Sequence, residues 1–313
     1  MTAKPGNSGG EPSSAYDAVG SRKAADEAST VGEKLRQKFD QLTRLERQLA
    51  DVLLSHYPSA GLNSITVLAR DAEVSTPTVA RLVKKLGFSG YRAFQDSLRS
   101  ELDAKVSSPI SKHESWEYDG TDTHILHRFA EVTLNNLQAT LNRLDTHSFD
   151  QITELLANPD RQILIAGGRI TKSLADYLYN HLQVVRSQVQ AAPLGSSGWP
   201  HQLLNMQSGD VLVLFDIRRY ERELVQCAEM ARERGLWIIL FTDQWGSPVS
   251  QHADHVIHAR VEAPSAWDSS AVTLIVIEAL VAAVETLDWG RTRQRMEALE
   301  HLFDRTGMLR KSP

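Results

Sequence analysis

The sequence predicts an α/β domain built on a doubly wound, parallel five-stranded sheet, preceded by an all-α domain. Three observations carry that expectation. From Arg161 onward, short apolar runs alternate with helical patterns. Between Leu35 and Leu102 the apolar residues recur only at helical spacing. The chain's 313 residues leave room for two domains.

Residues 1–30 are rich in Gly, Ser, Ala and Pro, have few groups to pack, and read as a disordered tail. The all-α domain spans 31–106. Leu35, Phe39 and Leu42 mark a short first helix; Leu45, Leu49, Val52 and Leu53 mark a second that ends before Pro58 and Gly61. Residues Ser64 to Phe94 read as a helix-turn-helix. Ile65, Leu68, Ala69 and Ala72 pattern its first helix, and Val79, Leu82, Val83 and Leu86 its second, at i, i+3, i+4 and i+7. Ser75 supplies a capping hydroxyl, and Pro77 stands where the first turn needs no N–H. Tyr91, Phe94, Leu98 and Leu102 carry a further helix. Ser107-Ser108-Pro109 opens a linker over 107–122. His124 to Leu144 is a helix, with Ile125, Phe129, Val132 and Leu137 turned toward the second domain, which spans 123–290.

In that domain Ile163 to Ala166, Gln188 to Ala192, Val211 to Phe215, Trp237 to Phe241 and Val256 to Ala259 are the expected strands. Helices are expected over Thr171 to Val185, Glu221 to Arg234 and the long apolar Ser269 to Leu287. An amphipathic terminal helix around Arg293 to Phe303 and a tail complete 291–313. In such sheets ligands bind outside the carboxyl ends of the strands.

The second helix of the helix-turn-helix points to chemistry. It shows Ser75, Thr76, Thr78, Arg81, Lys84 and Lys85, and from Val74 through Gln95 there is no Asp or Glu. Hydroxyls and cations without opposing carboxylates suit phosphate oxygens and base edges, so double-stranded DNA is the expected partner. The whole chain carries a formal charge of -5, which excludes an indiscriminate polyanion binder and requires a local basic surface. An apolar share of 42% and a charged share of 23% suit a protein with a sizeable core. The lone Cys227 lies in an apolar helical context and permits no internal disulfide, as expected of a cytoplasmic protein. No secretion signal and no membrane span is read from the sequence.

These features together resemble a known family. Val-Ser-Thr-Pro-Thr-Val-Ala-Arg-Leu-Val-Lys-Lys-Leu-Gly-Phe-Ser-Gly-Tyr, from Val74 to Tyr91, resembles the DNA-binding domain of RpiR-type bacterial transcriptional regulators. Arg161 to Val284 is similar to the sugar-isomerase (SIS) effector domain those regulators carry, a flavodoxin-like fold. The resemblance implies a homodimer or homotetramer that reads DNA and senses a carbohydrate derivative. Glu73 stands where many such turns have glycine, a departure that costs ~1 kcal/mol if the backbone there takes positive φ.

The SIS loops depart further. The resemblance leads one to expect a glycine- and serine-rich turn after the first strand and a second serine-rich loop after a later one. The chain has Gly167-Gly168-Arg169-Ile170-Thr171-Lys172-Ser173 and Asp216-Ile217-Arg218-Arg219-Tyr220. Few hydroxyls remain to cradle a phosphate, so a phosphosugar is not assigned. Arg169, Arg218 and Arg219 suit a small anionic metabolite through charge-assisted bonds, aided by the amides before the Thr171 helix. In a structural alternative, Asp216 pairs with one of these arginines and stiffens the loop. Ser196 and Ser197 read either as a pocket mouth or as an ordinary turn, and Asp268 either as a site residue or as a helix cap.

Other chemistry is weaker. Gly167-Gly168 lacks the spaced third glycine, and no acidic residue ends the second strand, so a nicotinamide cofactor is not expected. His252, His255 and His258 do not share a strand face, and no metal site is expected. No cofactor is assigned. The second reading is an aldose–ketose sugar-phosphate isomerase with Glu262 or His201 as base, although neither sits in a catalytic motif.

Overall fold

The computed structural model describes residues 29–117, 123–193 and 198–307. The disordered-tail expectation for residues 1–30 lies outside the described residues over 1–28, and it is corrected at Ser29, which is buried, and Thr30, which caps the first helix. Five helices build the N-terminal part: α1 Val31–Lys38, α2 Arg44–Ser55, α3 Ile65–Asp71, α4 Thr76–Lys85 and α5 Tyr91–Val106. Their starts are set by local chemistry. Thr30 with Glu33, and Thr43 with Glu46, form capping boxes on α1 and α2. Ser64 accepts from the Val67 N–H at 3.3 Å, and Ser75 from Thr78 at 3.4 Å.

The turn between α3 and α4 closes with Val74 N–H on the Ala69 carbonyl at 2.8 Å. Glu73 takes φ 50° there, the left-handed conformation foreseen for this position. Gly87, at φ 94°, ends α4, and the Phe88 N–H returns to the Val83 carbonyl. Leu68, Leu82, Phe94 and Leu98 are fully buried between these helices. Each contributes about 2 kcal/mol through apolar area removed from water.

The segment read as a linker contains a helix, α6 Pro109–Glu117. Ser108 and Ser111 exchange hydrogen bonds with each other's backbone N–H at 3.1 and 2.9 Å, so Ser-Pro here starts a helix. Helix α7 Ile125–Leu141 follows. Ile125 is exposed, contrary to expectation, and the inward face is carried by Asn136, Ala139 and Thr140. Polar anchoring explains the rotation: Asn136 donates to the Glu262 carbonyl at 2.6 Å, and Thr140 Oγ1 accepts from Arg260 N–H at 3.1 Å.

The five strands are β1 Ile163–Gly167, β2 Val189–Ala191, β3 Val211–Phe215, β4 Trp237–Asp243 and β5 His255–Ala259. All pair in parallel in the order β2-β1-β3-β4-β5, the expected doubly wound, flavodoxin-like topology. Helices α8 Thr146–Ala157, α9 Lys172–Val185, α12 Ala271–Leu287 and α13 Trp289–Thr306 lie on one side. Ile163 and Ile165 pack there against Ile152, Leu178 and Ile277. Helices α10 Trp199–Asn205 and α11 Arg222–Glu233 cover the other side, where Leu164 and Ala166 meet Trp199, Leu224 and Cys227. Alternate residues of one strand thus feed two cores. Burial pushes the Cys227 thiol up to about 12, which leaves it a small core side chain. Helices α8 and α10 had no counterpart in the sequence reading.

The helical part sits on the carboxyl ends of the strands. Arg260, just after β5, donates to Glu33 of α1 at 2.7 Å, and Gln251 donates to the Ser55 carbonyl at 2.7 Å. Lys105 of α5 reaches the Gly246 carbonyl at 3.3 Å.

Candidate functional site

Helix α4 exposes part of the predicted DNA-binding set. Ser75, Arg81 and Lys84 lie on the outside, with Thr76 half-buried at the helix start. Two members turn inward, which corrects the sequence reading. Thr78 is 3% exposed; its hydroxyl pairs with Ser75 Oγ at 2.9 Å and accepts from Arg81 Nη2 at 3.3 Å, so it orients Arg81. Lys85 binds the Gln41 carbonyl at 2.7 Å and Glu46 Oε2 at 3.0 Å, tying α4 to α2. Burial works against the Glu46 charge, but the Thr43 N–H and Lys85 hold its carboxyl below the usual range.

The predicted effector loops converge at the carboxyl ends of β1 and β3. A Cβ on Gly167 would stand 2.6 Å from the Thr171 carbonyl oxygen, so the strand-to-helix turn needs glycine there. The Thr171 hydroxyl donates to the Phe215 carbonyl at 2.7 Å, linking the two loops. Arg169 N–H donates to Glu221 Oε1 at 2.7 Å, so the chain's own carboxylate takes an amide expected to face a ligand. Gly168 lies against the same group: a Cβ there would be 2.4 Å from Glu221 Oε1. The side chains of Arg169 and Arg219 face solvent, and Arg219 takes φ 67°.

Asp216 is buried and accepts from the Ser247 hydroxyl and the Glu221 N–H, not from the adjacent arginines. Burial raises its carboxyl to about 6. Tyr220 donates to Asp243 Oδ1 at 2.8 Å, and burial beside that carboxylate holds its hydroxyl well above the ordinary range.

Arg218 leaves the loop altogether. Its guanidinium lies 4.4 Å over the Trp245 ring, donates to Asp268 Oδ1 at 2.7 Å, and reaches the Ala104 carbonyl and Ser107 hydroxyl at the end of α5. Asp268 also takes Lys112 of α6 at 2.5 Å. Asp268 is therefore no cap of α12; Ser269 Oγ accepts from Ala271 N–H instead. Ser196 and Ser197 lie outside the described residues.

Glu221, Asp243, Ser247 and Lys105 went unnoticed in the sequence. The signal available was position: Asp243 ends β4, and such strand ends line ligand sites in these sheets. Among the described residues no group of three or more His, Cys, Asp or Glu is placed to hold a metal. His258 Nδ1 faces the Asp243 carbonyl, whereas His252 lies 3.7 Å from Glu229. Glu262 meets Gln244 at 3.3 Å, while His201 is exposed on α10. No described helix is long and apolar enough to cross a membrane.

Residues 29–105 match the helix-turn-helix domain of the rpiR family, and residues 155–283 match the SIS domain. The chain joins an rpiR-family helix-turn-helix domain to a C-terminal SIS domain. It is similar to the HTH-type transcriptional regulator HexR of Pseudomonas aeruginosa, 28% identical over 220 residues covering 70% of this chain and 75% of HexR. The sugar isomerase domain of an RpiR transcription factor from Sphaerobacter thermophilus superposes with a TM-score of 0.53 at 22% identity, covering 57% of this chain and 99% of that one. The Vibrio vulnificus NanR protein, complexed with ManNAc-6P, superposes with a TM-score of 0.50 at 19% identity over 87% of this chain and 97% of its own. Both likenesses extend to the fold. In this chain Arg218, on the loop after β3, is one of the contacts between the two domains, reaching the Ala104 carbonyl and Asp268.

Proposed function

We propose that this RpiR-type regulator binds operator DNA through Ser75, Thr76, Arg81 and Lys84 of α4. A small anionic metabolite held at the carboxyl ends of its SIS strands controls that binding. The observation that carries the reading is the placement of α4: capped by Ser75, free of acidic residues, and outward-facing on a domain whose other side rests on the effector end of the sheet. Its hydroxyls and cations serve phosphate and base contacts.

For the effector, the exposed Arg169 and Arg219 flank the β1 and β3 loops, and the NanR structure carries ManNAc-6P on a related fold. A sugar phosphate or an organic acid fits two exposed guanidiniums. Arg218 gives the signal a route, because a ligand that moves its loop acts on the end of α5. Coupling follows only if the ligand binds the two arrangements with different affinity. The protein acts in the cytoplasm as a homodimer or homotetramer, whose symmetry suits two-fold operators.

Fluorescence anisotropy with the DNA upstream of the chain's own gene tests the reading. Saturable binding lost in Arg81→Ala with Lys84→Ala, in a protein of unchanged melting temperature, supports it. Binding that survives the double change at raised salt overturns the recognition surface. A screen of phosphorylated sugars and organic acids by thermal shift identifies the effector, and Arg169→Ala with Arg219→Ala abolishes that shift.

A further inference from the structure

At the opposite end of the sheet, the amino ends of β1 and β2, lies a concavity of about 330 Å³ between α9 and α13. Pro159, Val185 and Ser187 line it together with three arginines, Arg186, Arg291 and Arg295. No Asp or Glu is among its lining residues. Each guanidinium is anchored on helix-end carbonyls. Arg186 donates to Leu156 and Asn158 at 2.7 Å each, Arg291 to Ala157 at 2.8 Å, and Arg295 to Gln183 at 2.8 Å. Such bonds fix the groups in place, but neutral carbonyls do not cancel three positive charges.

The surplus shows in two ways. Arg291 Nε is buried without a hydrogen-bond partner, the Asp288 carboxylate standing 3.5 Å away. Burial pushes Arg186 down to about 10, and the neighbouring charges of Arg291 and Arg295 add to the shift. With Asp288 beside Arg291 and Asp210 acting on Arg186, three guanidiniums held close still carry a positive surplus, and a multivalent anion offsets it. We propose that this concavity is a second ligand site, for a small polyanion bearing phosphate or carboxylate groups, distinct from the effector loops and independent of the function proposed above.

The volume is at the lower end for metabolite pockets, about 300 to 1,000 Å³, and Pro159 and Val185 offer room for a short apolar portion. A bound anion bridges α13 to the ends of α8 and α9, so occupancy stiffens the C-terminal helix.

Calorimetric titration of the full chain with inorganic pyrophosphate, and separately with citrate, at constant ionic strength tests the site. The expected result is one saturable site per chain, weakened about tenfold or more by Arg291→Gln with Arg295→Gln. Arg169→Ala with Arg219→Ala leaves it unchanged, which separates this site from the effector loops. Since the first pair also removes helix-end bonds, Ala298→Glu provides a second arm. Ala298 lines the concavity, and a carboxylate there raises the melting temperature of the unliganded protein and abolishes pyrophosphate binding. Absence of saturable binding of either anion, binding unaltered in the glutamine pair, or Ala298→Glu that lowers the melting temperature overturns the proposal.

Discussion

Arg218 and Asp268 form an ion pair, Nη2 to Oδ1 at 2.7 Å, that joins the loop after β3 to the segment before α12. The Arg218 side chain is 4% exposed and that of Asp268 is 21% exposed. Lys112 of α6 shares the carboxylate, and the Ala104 carbonyl and Ser107 hydroxyl share the guanidinium. One loop residue therefore touches the SIS domain, the end of α5 and, through Asp268, the helix that follows it.

Removing the carboxylate strips the largely buried Arg218 of its ion-pair partner and leaves Glu262 as an opposing charge. Asp268→Asn is expected to cost about 3 kcal/mol in urea unfolding. Amide exchange should rise at Ala104 to Ser107 more than in β3. A loss below about 0.5 kcal/mol with unchanged exchange removes the pair from any coupling role.

Lys84 and Lys85 are adjacent, yet their variants should separate. Lys84 is exposed, whereas Lys85 holds Glu46 and Gln41. Lys84→Ala is expected to weaken DNA binding evenly across sequences and lower the salt slope by about 1, with stability kept. Lys85→Ala should instead lower stability by about 1 to 2 kcal/mol, since it strips a partly buried carboxylate of its partner. Equal effects of both on DNA at equal stability would return Lys85 to the interface.

How much of this was legible in the sequence depends on what each residue answers to. Val211–Phe215 was read with correct ends because a strand buried on both faces is apolar throughout. The helix-turn-helix was readable because capping and helical periodicity act within a few residues. Thr78 was misplaced because a hydroxyl one turn into a helix serves phosphate and cap alike; only packing against Ser75 and Arg81 decides. The destination of Arg218 depends on Asp268, 50 residues away, and on Ala104, 114 residues away, so nothing local marks it. Asp216 was read as an effector-loop residue, with pairing to an arginine as the alternative, but Ser247, beyond the next strand, takes it.

Glu73 holds φ 50° on an exposed turn. Its side chain has little packing to lose, so Glu73→Gly relieves left-handed strain at the cost of some unfolded-chain entropy. The expected net gain is about 0.5 to 1 kcal/mol in thermal or urea unfolding, with DNA affinity unchanged. A loss of stability would show that the turn is not strained.

Asp216 supplies a pH test of the buried loop. Burial, the largest cause, raises its carboxyl from 3.8 to about 6 against the pull of Ser247 and the Glu221 N–H, with Asp243 and Glu221 adding to the rise. Between these values the native protein keeps a proton that the unfolded chain has released. Stability from this group therefore falls as pH rises from about 4 to about 6 and stays lower above, by about 3 kcal/mol in full. Asp216→Asn carries no such proton, and its amide can still meet Ser247. Relative to the wild type, the variant should gain about 2 to 3 kcal/mol in urea unfolding at pH 7.5 over its value at pH 4. Glu101, raised to about 8 by burial, and His258, pushed down to about 3 by burial and Arg36, titrate in both proteins and cancel in the comparison. If the difference between the two proteins is the same at both pH values, Asp216 is ionised throughout, and the Ser247 bond is then a charge-assisted one that outweighs burial.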